Sequence, residues 1–171
     1  MYYDTKSGQR VPLCNRPNCN HDEEECNASF NRTITGKDGF VRTFVQYYEG
    51  AVYIFGHDPE HNVNLYQVAA DGSFWKKYMT IYKADMTPPE GSGSNSDAQS
   101  LSWTIPHVQI HRGYVYYVLP DEKEPKLRRI ALGGTETEVL CETTGKRAVI
   151  DWMKIYGEYV FSRAGNYTDE N

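Results

Sequence analysis

The sequence predicts an all-β fold made of antiparallel sheets. Tyrosine is abundant, with 14 residues, and aromatic residues make up 13% of the chain, a composition typical of strands. Short runs of alternating apolar and polar residues are separated by turn signals such as Glu49-Gly50 and Asp71-Gly72. These two observations indicate strands that are joined by tight hairpins over most of the chain.

The strand signals follow a regular order along the chain. We expect an opening hairpin within residues 1–14, then a set of four strands, a second set of four, and a final pair. The expected strands cover residues 43–48, 51–55, 63–70 and 74–82, then 107–111, 114–119, 127–132 and 137–142, and finally 149–155 and 158–162.

The glycines of the hairpin turns indicate that this order is a repeat. Gly50 and Gly113 lie 63 residues apart, Gly113 and Gly157 lie 44 apart, and the difference of 19 approximates the length of a Gly/Ser-rich insertion. A second turn repeats at a similar spacing, with Gly134 as the equivalent of Gly72. A period near 44 residues with four strands per unit is typical of a β-propeller blade. A plain antiparallel meander with coincidental turns is the alternative interpretation.

The repeat predicts one partial propeller domain over residues 1–171. Its expected parts are a half blade (1–14), a loop containing cysteine and histidine (15–40), a blade (41–83), a Gly/Ser-rich loop (84–105), a second blade (106–143) and a half blade (147–163). Closed propellers contain about 4–8 blades. We therefore expect the chain to be a fragment whose open blade edges pair with another chain.

A candidate metal site lies in the first loop, where three thiols and an imidazole fall within thirteen residues. The pattern C-x4-C-x-H-x4-C places them at Cys14, Cys19, His21 and Cys26. Structural zinc sites use this number and type of ligands, and zinc is the cofactor that we consider. The backbone must turn sharply between Cys19 and His21, because only Asn20 separates them. The acidic run at residues 22–25 raises thiol pKa values unless a cation is bound, which favours a metal.

Two other interpretations of these cysteines remain open at the level of sequence. One is a disulfide among the three cysteines of the loop with one thiol left over, and the other is a loop of unpaired cysteines. Cys141 follows the turn at Gly134 much as Cys14 follows the turn at Gly8, so the two occupy equivalent positions in different repeat units. We expect such positions to be too far apart for a disulfide, which makes Cys141 a lone thiol with a packing role.

Charge and hydropathy narrow the classes of partner. A net charge of -5 and a pI near 5.5 provide no basic surface for a phosphate backbone, so we expect no nucleic-acid partner. No apolar run approaches the ~20 residues that a membrane-spanning helix needs, and we expect no transmembrane segment. The first twelve residues do not resemble a signal peptide. The chain is therefore expected to be cytosolic or to begin downstream of a secretion signal.

Two segments resemble known proteins. The stretch from Asn64 to Ser73 resembles the strand and turn signature of TolB-like six-bladed propellers. Tyr2-Tyr3-Asp4, combined with Leu13 and the cysteine and histidine pattern that follows it, is similar to uncharacterised cell-surface lipoproteins of anaerobic Gram-positive bacteria that carry such a propeller. The resemblance implies a secreted, non-catalytic propeller at the cell surface, with the lipoprotein signal upstream of this chain.

Loop placement predicts one binding face. In a propeller blade the long connections lie on the same side, and binding residues are concentrated on loops held by a rigid scaffold. The candidates on this face are His57, Asp58, His61, Trp103, His107 and Asp121. No motif for a nucleophile, a catalytic metal or a phosphate loop occurs in the sequence, so we assign no catalytic residue. The leading hypothesis is an extracellular interaction module that binds a protein or a glycan. The alternative is a glycan-active hydrolase or lyase that uses two carboxylates.

Overall fold

The computed structural model describes residues 2–21, 26–28, 44–57, 62–83, 107–119, 125–143 and 148–166. These residues form twelve strands, all paired antiparallel, and none of them lies in a helix. The predicted all-β class is therefore confirmed. The chain divides into two compact units, Met1–Ala84 and Asp85–Asn171. The boundary falls at the start of the predicted Gly/Ser-rich loop, whose residues lie outside the described part of the chain.

The first unit contains a hairpin and a four-stranded sheet. Strands β1 (Tyr2–Asp4) and β2 (Gln9–Val11) form the hairpin. The sheet consists of β3 (Phe44–Tyr48), β4 (Ala51–His57), β5 (Val63–Ala69) and β6 (Trp75–Tyr82), and each strand pairs with the next in the sequence. This is the strand order of a propeller blade.

The second unit repeats the same four-stranded order. Its sheet consists of β7 (His107–His111), β8 (Tyr114–Val118), β9 (Lys126–Ala131) and β10 (Thr137–Glu142). Strands β11 (Ala148–Tyr156) and β12 (Tyr159–Asn166) form a separate pair. The predicted strands are present in both units, and most boundaries agree within two residues.

Neighbouring repeats in the second unit meet along β7 and β11. The side chain of Gln109 accepts a hydrogen bond from the backbone N–H of Ile155 at 3.1 Å. At the hairpin turns, His111 Nε2 donates to the carbonyl oxygen of Gly157 at 2.7 Å, and Arg112 contacts Glu158 at 3.2 Å. First strands of successive repeat units therefore lie side by side, as they do in a propeller.

The first hairpin turn of each repeat has two central residues, but its backbone conformation varies. Glu49 and Gly50 both have positive φ, at 44° and 85°, and the equivalent Arg112 and Gly113 have φ of 47° and 76°. Two positive values are the mark of a type I′ turn, which matches the twist of the flanking strands. The third turn differs because Gly157 (φ 59°) occupies the first central position. The predicted equivalence of Gly157 with Gly50 and Gly113 is therefore wrong by one residue.

The turn between the third and fourth strands contains the same backbone hydrogen bond in both sheets. Gly72 N donates to Ala69 O at 2.9 Å, and Gly134 N donates to Ala131 O at 2.8 Å. Gly72 and Gly134 thus occupy equivalent positions, as predicted. The left-handed residue nevertheless differs, because it is Gly72 itself in the first sheet (φ 74°) and Gly133 in the second (φ 83°).

The core of the first sheet lies on its two central strands. Leu65 and Val68 are fully buried, and Ile54, Tyr66 and Val68 form an apolar cluster on one face of the sheet. Leu13, the residue before Cys14, packs against this cluster. Through Leu13, the start of the segment that carries the candidate metal ligands packs against the sheet.

Candidate metal centre

The four predicted ligands converge in the first unit. The donor atoms of the ligand cluster, which consists of Cys14, Cys19, His21 and Cys26, all lie within 4.8 Å of one another. Cys26 is fully buried, Cys14 and Cys19 are half-buried, and His21 is exposed. Cys14 and Cys26, twelve positions apart in the sequence, therefore share one site with Cys19 and His21.

A tight turn brings Cys19 back toward Cys14. The backbone N–H of Cys19 donates to the carbonyl oxygen of Arg16 at 3.4 Å. Pro17 occupies the second position of this turn, and Asn18 occupies the third with φ of 58°. Proline followed by a residue of positive φ is the pattern of a type II turn, in which asparagine is one of the few tolerated residues.

The predicted sharp turn between Cys19 and His21 is present. His21 has φ of 63°, so the chain bends in the left-handed region at the ligand itself. For a residue with a Cβ atom this conformation costs roughly 1–2 kcal/mol and persists where surrounding contacts hold it. Asn18 is also left-handed, so two such residues lie within the four consecutive positions 18–21 of the ligand segment. Such concentration of strain is typical of functional sites.

Backbone N–H groups face two of the sulfurs. The N–H of Ala28 donates to Cys26 Sγ at 3.3 Å. The sulfur of Cys14 is approached by the N–H groups of Arg16 and Asn27. In both cases the residue two positions after the cysteine supplies a donor, which favours the thiolate, the form that binds metals.

The thiols of Cys14 and Cys26 have opposite pKa shifts. Burial opposes ionisation of Cys14, but the backbone donors of Arg16 and Asn27 and the neighbouring thiols lower its pKa to about 7. Burial raises the pKa of Cys26, and the adjacent sulfurs of Cys19 and Cys14 raise it further. Without a cation, ionisation of one thiol therefore disfavours ionisation of its neighbour. A bound metal ion reverses this repulsion.

One distance between donor atoms of the cluster matches that of adjacent ligands in a tetrahedral metal site. His21 Nδ1 lies 3.5 Å from Cys26 Sγ. Metal bonds of about 2.3 Å to sulfur and 2.0–2.1 Å to nitrogen place adjacent tetrahedral ligands about 3.6 Å apart. All four cysteines of the chain are described and are free, so no disulfide joins members of the cluster. The donor set and its spacing are suited to one metal ion.

The ligand segment is anchored to the turn between β5 and β6. The carbonyl oxygen of Gly72 accepts hydrogen bonds from the backbone N–H of Asn15 at 3.3 Å and from Asn27 Nδ2 at 2.9 Å. Asn15 follows Cys14 and Asn27 follows Cys26, so both ends of the segment bind the same carbonyl group. The sheet thus provides a fixed base for the ligand cluster.

Sequence reasoning missed this anchor, although a signal was present. Each cysteine of the cluster is followed by asparagine, at Asn15, Asn20 and Asn27, whereas Cys141 is followed by Glu142. Asparagine side chains readily bond to nearby backbone groups in irregular segments. Asn27 anchors through its side chain whereas Asn15 bonds through its backbone N–H, so the Cys-Asn pair was a signal for the contact of Asn27 and not for that of Asn15.

Two candidates of the predicted binding face, His57 in the first unit and His107 in the second, lie among the described residues. His57 is the last residue of β4, where its backbone pairs with Val63, and not a loop residue as predicted. His107 begins β7 and pairs with Val118. The remaining candidates lie outside the described residues: Asp58, His61, Trp103 and Asp121. The binding face therefore stays a prediction.

Cys141 lies on β10 in the second unit. It is a free thiol, as predicted. The predicted packing role is wrong, because the residue is exposed on a strand whose side chains are all exposed. Side chains alternate between the two faces of β10, but neither face of this strand is buried.

Comparison with models of protein families, with curated proteins and with solved structures finds no match to this chain. A search of the described residues for a helix long and apolar enough to cross a membrane finds none.

Proposed function

We propose that the ligand cluster binds one structural zinc ion, and that the chain serves as a non-catalytic binding module of a cell-surface β-propeller protein. The observation that carries the metal proposal is the convergence of four donor atoms within 4.8 Å. Three thiolates and one imidazole are a donor set that favours zinc over harder cations such as Mg²⁺ or Ca²⁺.

The number of ligands supports a structural ion. A catalytic zinc ion keeps a coordination position open for water or substrate, whereas four protein ligands close the tetrahedron. The ligand cluster supplies four. We therefore assign no reaction to the ion, and its effect is on folding.

A bound ion would stabilise the opening hairpin. Strands β1 and β2 contain three residues each, and Tyr2 and Tyr3 remain exposed. A two-stranded hairpin of this kind is marginally stable alone in water. A zinc ion bound just after β2 holds the hairpin on the four-stranded sheet, which has a core of its own.

The role as a binding module is supported by exposed aromatic side chains on the sheets. Tyr47 on β3 is 66% exposed, and Tyr156 and Tyr159 at the β11–β12 turn are 78% and 69% exposed. Exposed aromatic residues supply much of the contact area in protein and glycan recognition. Location at the cell surface rests on the resemblance to propeller lipoproteins.

Cobalt substitution tests the metal proposal. We expect the reduced, metal-free chain to bind one equivalent of Co²⁺ with the d–d bands of a tetrahedral site and a thiolate charge-transfer band. The Cys26→Ser variant should lose most of this signal, whereas Cys141→Ser, altered at the free thiol of the other unit, should retain all of it. A wild-type chain without tetrahedral bands would contradict the proposal.

The distinction between a binding module and an enzyme requires an assay of its own. The zinc-loaded chain is incubated with a panel of cell-wall polysaccharides, and both gel retardation and release of reducing or unsaturated ends are measured. Retardation without new ends is the expected result. Catalytic release of ends would favour the glycan-active alternative.

A further inference from the structure

Gly72 makes an unusually close approach to the ligand segment. A Cβ atom at this position would lie 2.6 Å from Cys14 N, 2.7 Å from Leu13 C and 2.8 Å from Cys14 Cα. These are backbone atoms, which cannot rotate out of the way as a side chain could. Any side chain at position 72 must therefore push Cys14 away from the sheet.

The same residue also receives the hydrogen bonds of the segment. Its carbonyl oxygen accepts from Asn15 N and Asn27 Nδ2, the residues that follow the first and last ligands. Displacement of Cys14 from Gly72 would therefore disturb both ends of the ligand cluster, although Gly72 donates no ligand.

We infer that Gly72 is a positioning residue for the metal site, and that through it metal binding and the stability of the β3–β6 sheet are coupled. This inference rests on the proposed zinc site. Coupling of this kind is reciprocal: a sheet that holds the ligands in place raises metal affinity, and a bound metal stabilises the sheet to the same extent.

The second sheet provides an internal comparison. Its equivalent turn contains Gly134, where the three atoms nearest to an added Cβ all belong to Ala131 of the same turn, the nearest at 3.1 Å. The close approach to the backbone of another segment thus occurs at Gly72 and not at Gly134. We expect metal to stabilise the first sheet and to leave the β7–β10 sheet unchanged.

Matched glycine variants test the positioning role. Gly50 also has a left-handed φ, of 85°, but nothing lies within 4 Å of a Cβ added there. Gly72→Ala and Gly50→Ala therefore share the backbone strain and differ in the clash. With Co²⁺ affinity measured on the full chain against a competing chelator, we expect Gly72→Ala to raise the Kd by about tenfold or more, and Gly50→Ala by less than about threefold.

Asn27→Ala provides a second variant that leaves the β5–β6 turn itself unaltered. It removes one hydrogen bond to Gly72 from the side of the ligand segment. We expect a Kd increase of about three- to tenfold, in line with the loss of a supporting hydrogen bond. This variant keeps the test decisive if Gly72→Ala does not fold.

Hydrogen exchange of the full wild-type chain tests the coupling directly. Removal of metal should accelerate exchange of amides in residues 13–19 and 63–82, and should leave residues 107–119 and 125–143 unchanged. Tight Co²⁺ binding by the wild type with unaltered affinity in Gly72→Ala and Asn27→Ala would overturn the inference and leave the metal proposal standing. Absence of Co²⁺ binding by the wild type would overturn both.

Discussion

His21 Nδ1 lies 3.5 Å from Cys26 Sγ, across a five-residue separation that includes a left-handed backbone at the histidine. This pair spans the exposed and buried sides of the ligand cluster, because His21 faces solvent while Cys26 is fully buried. The imidazole therefore closes a site whose sulfur atoms lie deeper in the fold. The contribution of His21 should be separable from that of the thiols.

Replacement of His21 should weaken metal binding without unfolding the sheets. We expect His21→Ala to raise the Kd for Zn²⁺ by about tenfold to a hundredfold, because the three thiols remain and water can fill the fourth position. His21→Cys should restore a closed site and shift the Co²⁺ d–d bands as an S₄ donor set requires. Competition with a chromogenic chelator gives the affinities, and circular dichroism checks that strand content is unchanged.

An unaltered affinity in His21→Ala would contradict the assignment of His21 as a ligand. The three cysteines would then bind the ion with some other fourth group.

Alkylation should distinguish the thiols of the metal-free protein. The pKa of Cys14 is lowered to about 7, so about half of this thiol is ionised at pH 7, whereas a thiol of pKa 9.0 is about 1% ionised. Because burial raises the pKa of Cys26, its reaction should be the slower of the two. Iodoacetamide labelling at pH 7, read by peptide mass spectrometry, should therefore modify Cys14 before Cys26.

Zinc should protect the cluster and not Cys141. The exposed Cys141 provides the control, since its labelling rate should be the same with and without metal. Equal labelling of Cys14 in the two states would show that the ion does not bind there.

The sequence predicted the strands and the four side chains of the cluster, but not how the cluster is joined to the sheet. Strand positions followed from alternation and from turn pairs such as Glu49-Gly50, which are local signals. Gly157 was misaligned because a glycine can occupy either central position of a hairpin turn, depending on whether the turn is type I′ or II′. The anchoring of Cys14 by Gly72 is a contact between residues 58 positions apart. No local spacing encodes a contact of that kind.

Core truncation should destabilise the first sheet far more than truncation on an outer strand. Leu65 is fully buried, and we expect Leu65→Ala to lower the free energy of unfolding by about 2–5 kcal/mol. The control is Leu140→Ala on β10, where the side chain is 37% exposed and the expected loss is about 1 kcal/mol or less. Urea unfolding of zinc-loaded protein measures both. Equal losses would show that the core is misplaced.

Relief of backbone strain at the first hairpin turn should stabilise the protein. Glu49 adopts φ of 44° in a type I′ turn, where asparagine is preferred. We expect Glu49→Asn to raise the free energy of unfolding by about 0.5–1 kcal/mol, because asparagine tolerates the left-handed conformation better. Glu136→Asn, directly before β10 at a residue without positive φ, should give no gain. A lower melting temperature for Glu49→Asn would contradict the type I′ assignment.

Native mass spectrometry of the chain, purified without added metal or reductant, tests the central claim most directly. The account predicts a mass corresponding to one zinc ion per chain with no disulfide. Acid unfolding should release this ion, and Cys141→Ser should retain it. A metal-free chain with a mass two hydrogens short, and with the missing thiols mapped to Cys14, Cys19 or Cys26, would show that a disulfide occupies the site and that the zinc assignment is wrong.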